Sequence, residues 1–200
     1  VINTEASKRA LRRRHLTMRS GLTADDIEKA GAALACRALE LPELAGAATV
    51  AAYVSMGSEP GTHALREALR ARGVRVLLPV LLEDDDLDWG EDEGPARLVP
   101  ARRGLLEPEG PRLGPEAVTR ADVVLLPGLA VDRRGMRLGR GGGSYDRVLA
   151  RLARAGADPA LVVLLYDGEL LDEVPEEGHD RPVHAAVTPS ALHRFTPRPR

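Results

Sequence analysis

The sequence predicts an α/β sandwich, with helices on both faces of a mostly parallel sheet. Three observations predict it. Residues 123–126 and 161–166 are short, unbroken apolar runs, the pattern of strands covered on both faces. Residues 47–82 read as strand, helix and strand, and so short a span implies a right-handed crossover between parallel strands. The run at 123–126 then leads through a glycine-rich turn into a further helix, which repeats the alternation. With 200 residues, of which 44% are hydrophobic, the chain suits one domain with a substantial core. Aromatic residues make up 2%, so that core must be built from Leu, Val and Ala.

Residues 5–19 read as a basic helix. Ala6, Ala10, Leu11 and Met18 give it a narrow apolar face, Lys8, Arg9, Arg12, Arg13, Arg14 and Arg19 fill a remainder expected to be solvated, and Gly21 ends it. Thr23 caps a second helix, with Asp25 and Asp26 in the first turn, where carboxylates complement the dipole; Ile27, Ala30, Leu34 and Leu41 face inward. Cys36 lies in this apolar stretch and reads as a buried, inert thiol. Residues 47–55 form a central strand. A loop over 56–62, a helix over 63–72 stopped by Gly73, and a strand over 74–82 follow. The acids of 83–93 read as a solvated turn in preference to a divalent-metal site. Residues 98–115, rich in Pro and Gly, form an extended connection long enough to line a site. After the strand at 123–126 a helix starts near Ser144, with Val148, Leu149 and Leu152 inward and a stop at Gly156. A strand over 161–166, a loop carrying His179 and Asp180, and a short strand at 185–188 complete the sheet, and residues 196–200 read as a frayed tail.

A formal net charge of −2 argues against a surface wholly devoted to nucleic acid or acidic membrane, while permitting a local basic patch. The single cysteine excludes an internal disulfide and a cysteine metal cluster. No apolar run approaches the ~20 residues that span a bilayer, and the first residues are polar and basic where a secretory signal would be apolar. The expectation is a cytoplasmic protein without nucleic-acid or membrane partners, monomeric or at most a weak homodimer.

If the sheet is parallel, the loops carrying Glu59, the glycine turn and Asp180 leave it at one edge, where such folds bind ligands. Gly139, Gly141, Gly142 and Gly143 leave bare backbone that an anion can approach, beside the positive end of a helix and flanked by Arg137 and Arg140. The turn matches neither the lysine-ended phosphate loop nor a clean dinucleotide fingerprint, so a tight connection without a ligand is the competing reading. Asp146, just inside the helix, either serves the magnesium of a triphosphate or complements the helix dipole. His179 and His184 flank Asp180 at a spacing unlike a zinc signature.

Arg137-Leu-Gly-Arg-Gly-Gly-Gly-Ser-Tyr-Asp-Arg147, preceded by Leu126-Pro-Gly-Leu-Ala-Val-Asp132, resembles the signature of the 5-formyltetrahydrofolate cyclo-ligase family, also called 5,10-methenyltetrahydrofolate synthetase. The resemblance extends over nearly the whole chain: Ser7-Lys-Arg-Ala-Leu-Arg12, Ser55-Met56 with Glu59 and Thr62, Gly104-Leu-Leu-Glu-Pro108, Val174-Pro175, His179-Asp180 and Val187-Thr188 follow in the family's order. It implies a three-layer α/β/α sandwich and an ATP- and Mg²⁺-dependent ligase. In that reaction the formyl oxygen of 5-formyltetrahydrofolate attacks the γ-phosphate, and N10 closes the ring onto the imidate phosphate. Loss of phosphate then gives 5,10-methenyltetrahydrofolate. By position, Lys8, Arg12 and Arg140 are the implied catalytic residues. Arg137, Gly139, Gly141, Gly142, Gly143, Ser144 and Tyr145 join them around ATP. Met56, Glu59 and Trp89 lie toward the folate, and Asp146 and Asp180 serve the magnesium. Three positions depart from the family pattern. Ser144 stands where an aromatic residue is usual, though it can still cap the helix; Val131 replaces a common phenylalanine; and His184 stands where an acid is frequent, removing a charge expected near Asp180. These departures motivate a second reading, a catalytically silent folate- or nucleotide-binding protein. A sugar-phosphate isomerase on a similar sheet is a third, and it would need neither ATP nor the basic N-terminal motif.

Overall fold

The computed structural model describes residues 4–195, and the expected frayed tail lies outside them. Its centre is a sheet of seven strands: β1 (Thr49–Ala51), β2 (Arg75–Leu81), β3 (Leu87–Glu91), β6 (Val123–Pro127), β9 (Ala160–Leu164), β11 (Ala185–Val187) and β12 (Leu192–Arg194). They lie in the order β12-β11-β9-β6-β1-β2-β3. The inner neighbours pair in parallel, and the two edges, β2 with β3 and β11 with β12, are antiparallel. The central strands alternate strictly between the two cores. Val50, Leu78, Leu125, Val162 and Val187 pack on one face, and Ala51, Leu77, Val124, Leu126, Val163 and Ala186 on the other. Because both faces are covered, every second residue has nowhere polar to point, which is why these strands read as unbroken apolar runs.

The first face is covered by α2 (Ala24–Ala38), the short α3 (Pro42–Ala45) and α4 (His63–Ala71), the second by α5 (Ser144–Arg154) and a 3-10 turn at Pro115–Arg120. Thr23 caps α2 as expected, through a capping box completed by Asp26. Cys36, expected buried, is exposed on the outer side of α2. The acids after β2 form the turn of the β2–β3 hairpin, and the strand within that acidic run went unread because its alternation is carried by Leu87 and Trp89 alone. The extended connection holds a hairpin of its own, β4 (Leu98–Pro100) with β5 (Leu106–Pro108).

A three-stranded sheet of β7 (Ala130–Asp132), β8 (Arg137–Leu138) and β10 (Leu170–Leu171) stands on the carboxyl side of the main sheet. Against it lies α1 (Thr4–Ser20), whose Leu11 packs on the cluster of Leu129, Met136 and Leu138. The expected division of α1 into an apolar inner face and a solvated basic one is corrected here. Lys8, His15 and Arg19 are its buried residues, whereas Met18 is 56% exposed. No helix among the described residues is long and apolar enough to cross a membrane.

Candidate active site

The strand order reverses at β1, which is flanked by β2 and β6. In open parallel sheets such a point leaves a crevice between diverging loops. A cavity of about 530 Å³ occupies it, with Tyr53 and Val54 after β1, Pro127 at the end of β6 and Gly128 just beyond it in its walls. Gly128 is required there. A Cβ on it would meet Val163 Cγ2 at 2.8 Å and Arg137 Cγ at 3.3 Å.

The glycine turn forms the second wall. Gly143 has φ +78 and occupies the cap position of α5, with no side-chain cap, so the first N–H groups of the helix are left for a ligand. Ser144 is therefore the first helical residue, not the cap expected of it. Arg137 is buried beneath the turn. It donates to the Pro127 carbonyl at 3.0 Å and faces Asp146 at 3.4 Å, while its Nε has no partner among the described residues. A Cβ on Gly139 would lie 2.8 Å from the same guanidinium, so glycine is what permits this approach. The Tyr145 hydroxyl is also buried and unpartnered. Burial, and secondarily the charge of Glu59, push its pKa well up, so at neutral pH it stays protonated and has an O–H to donate.

The third wall comes from the far end of the sequence. Arg12 of α1 donates through Nε to the Gly139 carbonyl at 3.1 Å and lies over Gly141, while its Nη1 bonds Glu5. Lys8, 5% exposed, donates to Asp180 at 2.6 Å and Glu177 at 2.8 Å. Burial opposes charging of both Lys8 and Asp180. Their mutual bond and attraction prevail, together with the Glu177 N–H on Asp180, so the Lys8 pKa is raised and that of Asp180 lowered. The ammonium and carboxylate are both ionised at neutral pH. On the remaining side Glu59 accepts from the Met56 N–H at 2.8 Å and faces Arg140 at 3.4 Å. Each of these four cations thus already faces a carboxylate.

A profile described as the 5-formyltetrahydrofolate cyclo-ligase family matches residues 4–189. The chain belongs to that family. A 5-formyltetrahydrofolate cyclo-ligase of Mycolicibacterium smegmatis is 48% identical over 146 residues, covering 70% of this chain and 73% of that protein. The one from Escherichia coli K12 is 34% identical over 176 residues, 87% of this chain and 96% of its own length. The solved structure of Aquifex aeolicus 5,10-methenyltetrahydrofolate synthetase superposes with a TM-score of 0.78 at 26% identity, over 96% of this chain and 95% of that one. The three-layer α/β/α architecture is that of a cyclo-ligase, and the chain is an enzyme of the ligase class.

The cyclo-ligase motifs converge. Lys8, Arg12, Met56, Glu59, Arg137 and Arg140 line the cavity, as do Gly139 to Gly143, Ser144, Tyr145, Asp146 and Asp180. Trp89 does not. It is fully buried in the core between β3 and the 3-10 turn, so the expectation that it lies toward the folate is corrected. The two acids paired for magnesium both line the cavity but have different partners. Asp146 faces Arg137, whereas Asp180 groups with Glu177 and His179, whose ligand atoms lie within 4.8 Å of one another. His184 sits before β11 at the amino edge of the sheet, where its Nδ1 accepts from the Leu161 N–H at 2.8 Å. It is remote from the cavity and takes no charge from Asp180's surroundings. Val131 is packed in the core.

Four participants were missed by sequence reasoning. Glu177 shares Lys8 with Asp180; its proximity in sequence to His179-Asp180 was the available signal. Tyr53 lies at the cavity floor, immediately after an apolar strand. Arg19 and Glu169 clamp α1 to the carboxyl edge. The Arg19 Nε donates to Glu169 at 2.8 Å, and its Nη2 donates to Glu169 at 2.8 Å and the Gly128 carbonyl at 2.7 Å.

Proposed function

We propose that this chain closes 5-formyltetrahydrofolate to 5,10-methenyltetrahydrofolate at the expense of ATP, with release of ADP and phosphate, in the cytoplasm. The observation that carries the reading is the Arg12–Gly139 contact. It joins the basic motif of α1 to the glycine turn over a cavity that also holds Glu59, so one site offers a phosphate half and a substrate half.

A formyl oxygen on N5 belongs to an amide and is a poor leaving group, so ring closure needs it activated. Its attack on the γ-phosphate makes an imidate phosphate and releases ADP; N10 then attacks the formyl carbon, loses its proton, and expels phosphate. The residues would act by holding two ligands in line and by opposing charge on the moving phosphoryl group. The open N–H groups of α5 and the turn would take the triphosphate, Arg137 and Arg140 its negative charge, and Lys8 and Arg12 the transferred phosphoryl group. The Tyr145 hydroxyl would donate a hydrogen bond to a nucleotide oxygen or nitrogen. Glu59, oriented by the Met56 N–H, would accept from the pterin nitrogens beside the phosphates.

The carboxylates fit a hard cation, since a cation already sits between Glu177 and Asp180 in the form of the Lys8 ammonium. When bound, Mg²⁺ supplies charge neutralisation at the phosphate oxygens. Binding would then be an exchange, in which phosphates take the cations and leave carboxylates free. Asp180 and Glu177 would hold the metal in this scheme, with Asp146 released from Arg137.

The test is incubation with 5-formyltetrahydrofolate, ATP and Mg²⁺ while following the methenyl absorbance. The proposal expects ATP-dependent appearance of the chromophore with one ADP per turnover. Tight folate and ATP binding without chromophore would refute it.

A further inference from the structure

We propose that Arg103, at the tip of the β4–β5 hairpin, recognises the carboxylate tail of the folate substrate and sets the preference for substrates that carry it. The inference rests on the function proposed above and deepens it.

Five arginine and lysine side chains line the cavity. Lys8, Arg12, Arg137 and Arg140 belong to α1 and the glycine turn, whereas Arg103 reaches it from the opposite hairpin. On the Arg103 side the wall is apolar, formed by Leu81, Leu87, Leu105 and Leu106. Leu106 is 42% exposed, a large apolar side chain left uncovered at the mouth. The order polar, apolar, cationic matches the substrate's own order of pterin, aminobenzoyl ring and glutamate. Glu59 stands beside Arg140, so a pterin held by Glu59 has its formyl group at the phosphates and its tail directed toward the hairpin.

The backbone supports a selected role for this side chain. Arg103 has φ +59 and Asp85, at the tip of the β2–β3 hairpin, φ +64; they are the two non-glycine residues with positive φ among the described residues. Such a conformation is unfavourable for any residue with a Cβ, and Gly104 stands immediately beside Arg103. The two strained residues touch, Arg103 Nη2 lying 2.8 Å from Asp85 Oδ1. Among the described residues no hydrogen bond is aimed at that oxygen, and Arg103 is 63% exposed, so the pair is a weak, replaceable one. A substrate carboxylate that offers Arg103 aligned acceptors can take Asp85's place.

The experiment compares 5-formyltetrahydrofolate with its diamide, in which both tail carboxylates are carboxamides, on wild type, Arg103→Gln and Arg103→Lys. Turnover is read from the methenyl absorbance and binding by calorimetry. In wild type the acid is preferred about five- to tenfold in Kd and in KM at low salt. In Arg103→Gln the ratio falls to about one through weaker binding of the acid alone, and Arg103→Lys restores part of it. A wild-type ratio retained in Arg103→Gln overturns the proposal, as does an equal loss for both ligands, which would assign Arg103 to holding the hairpin. An Arg103-dependent binding preference in a protein that makes no chromophore would sink the proposed reaction while leaving this recognition standing.

Discussion

Removal of Arg19 tests whether α1, and with it Lys8 and Arg12, is held in place by buried charge. Arg19 is 2% exposed and gives three hydrogen bonds, two to a Glu169 carboxylate that is itself 5% exposed and one to the Gly128 carbonyl. Arg19→Met keeps most of the stem's packing and removes the charge. Glu169 is then left with the N–H of Tyr166 as its one remaining donor among the described residues, at 2.9 Å, in a site closed to water. Breaking one partner out of a buried pair destabilises by about 3–5 kcal/mol, because the survivor is an uncompensated charge. For a chain of this size that is a fall in Tm of roughly 6–20 °C. Urea unfolding followed by far-UV circular dichroism measures it. Glu169→Gln in the Arg19→Met background removes the stranded charge but keeps an acceptor, so about 1–2 kcal/mol should return. A single-variant loss under about 1 kcal/mol, or an additive further loss in the double variant, would refute the clamp.

Three other outcomes follow from the same geometry. Lys8→Ala should lower kcat about a hundredfold or more while far-UV dichroism stays native; turnover like wild type would remove Lys8 from the mechanism. Chelation of magnesium should stop ADP release coupled to ring closure, and activity that persists in excess chelator would overturn the assignment of Asp180 and Glu177. The third concerns His15, 2% exposed, with neither ring nitrogen partnered among the described residues. Burial, opposed by the charge of Glu169 and aided by Arg14 and Arg19, lowers its pKa below the ordinary 6.5. Above pH 6.5 neither folded nor unfolded chain protonates this ring. As pH falls below 6.5 the unfolded chain takes a proton that the folded one refuses, so stability declines until the lowered folded pKa is reached. His15→Leu should flatten that part of the curve; urea midpoints at about pH 7.5 and pH 5.5 that shift equally in both proteins would argue otherwise.

The parts of the molecule legible in the sequence are those governed by apolar period. The strands at Val123 and Ala160, the crossover through α4 and the stripe of Val148, Leu149 and Leu152 are all apolar on the face they bury, and each lies within a few residues of its expected place. The α1 helix fails for a physical reason. Its buried positions, Lys8, His15 and Arg19, with the half-buried Leu11 and Arg12 between them, recur at helical spacing, but most are charged or polar, so a search for an apolar stripe settles on Met18 instead. A period of buried cations becomes visible only once carboxylates from elsewhere in the chain are brought opposite. Glu177 and Asp180 lie about 170 residues from Lys8, at separations of 169 and 172, and Glu169 lies 150 from Arg19. Trp89 shows the converse error. The family pattern points it toward the folate, yet on β3 it shares the inward face with Leu87, and the ring goes to the core. The position of His184 bears on the reading of a silent binder. It was weighed as a lost charge near Asp180, but it spends its Nδ1 on a backbone N–H at the opposite edge of the sheet, and Ser144 lies on a helix whose first turn is open with or without an aromatic ring. His184 therefore touches neither the cations nor the carboxylates on which turnover would depend, and Ser144, which lines the cavity beside the glycine turn, leaves the first turn of α5 open.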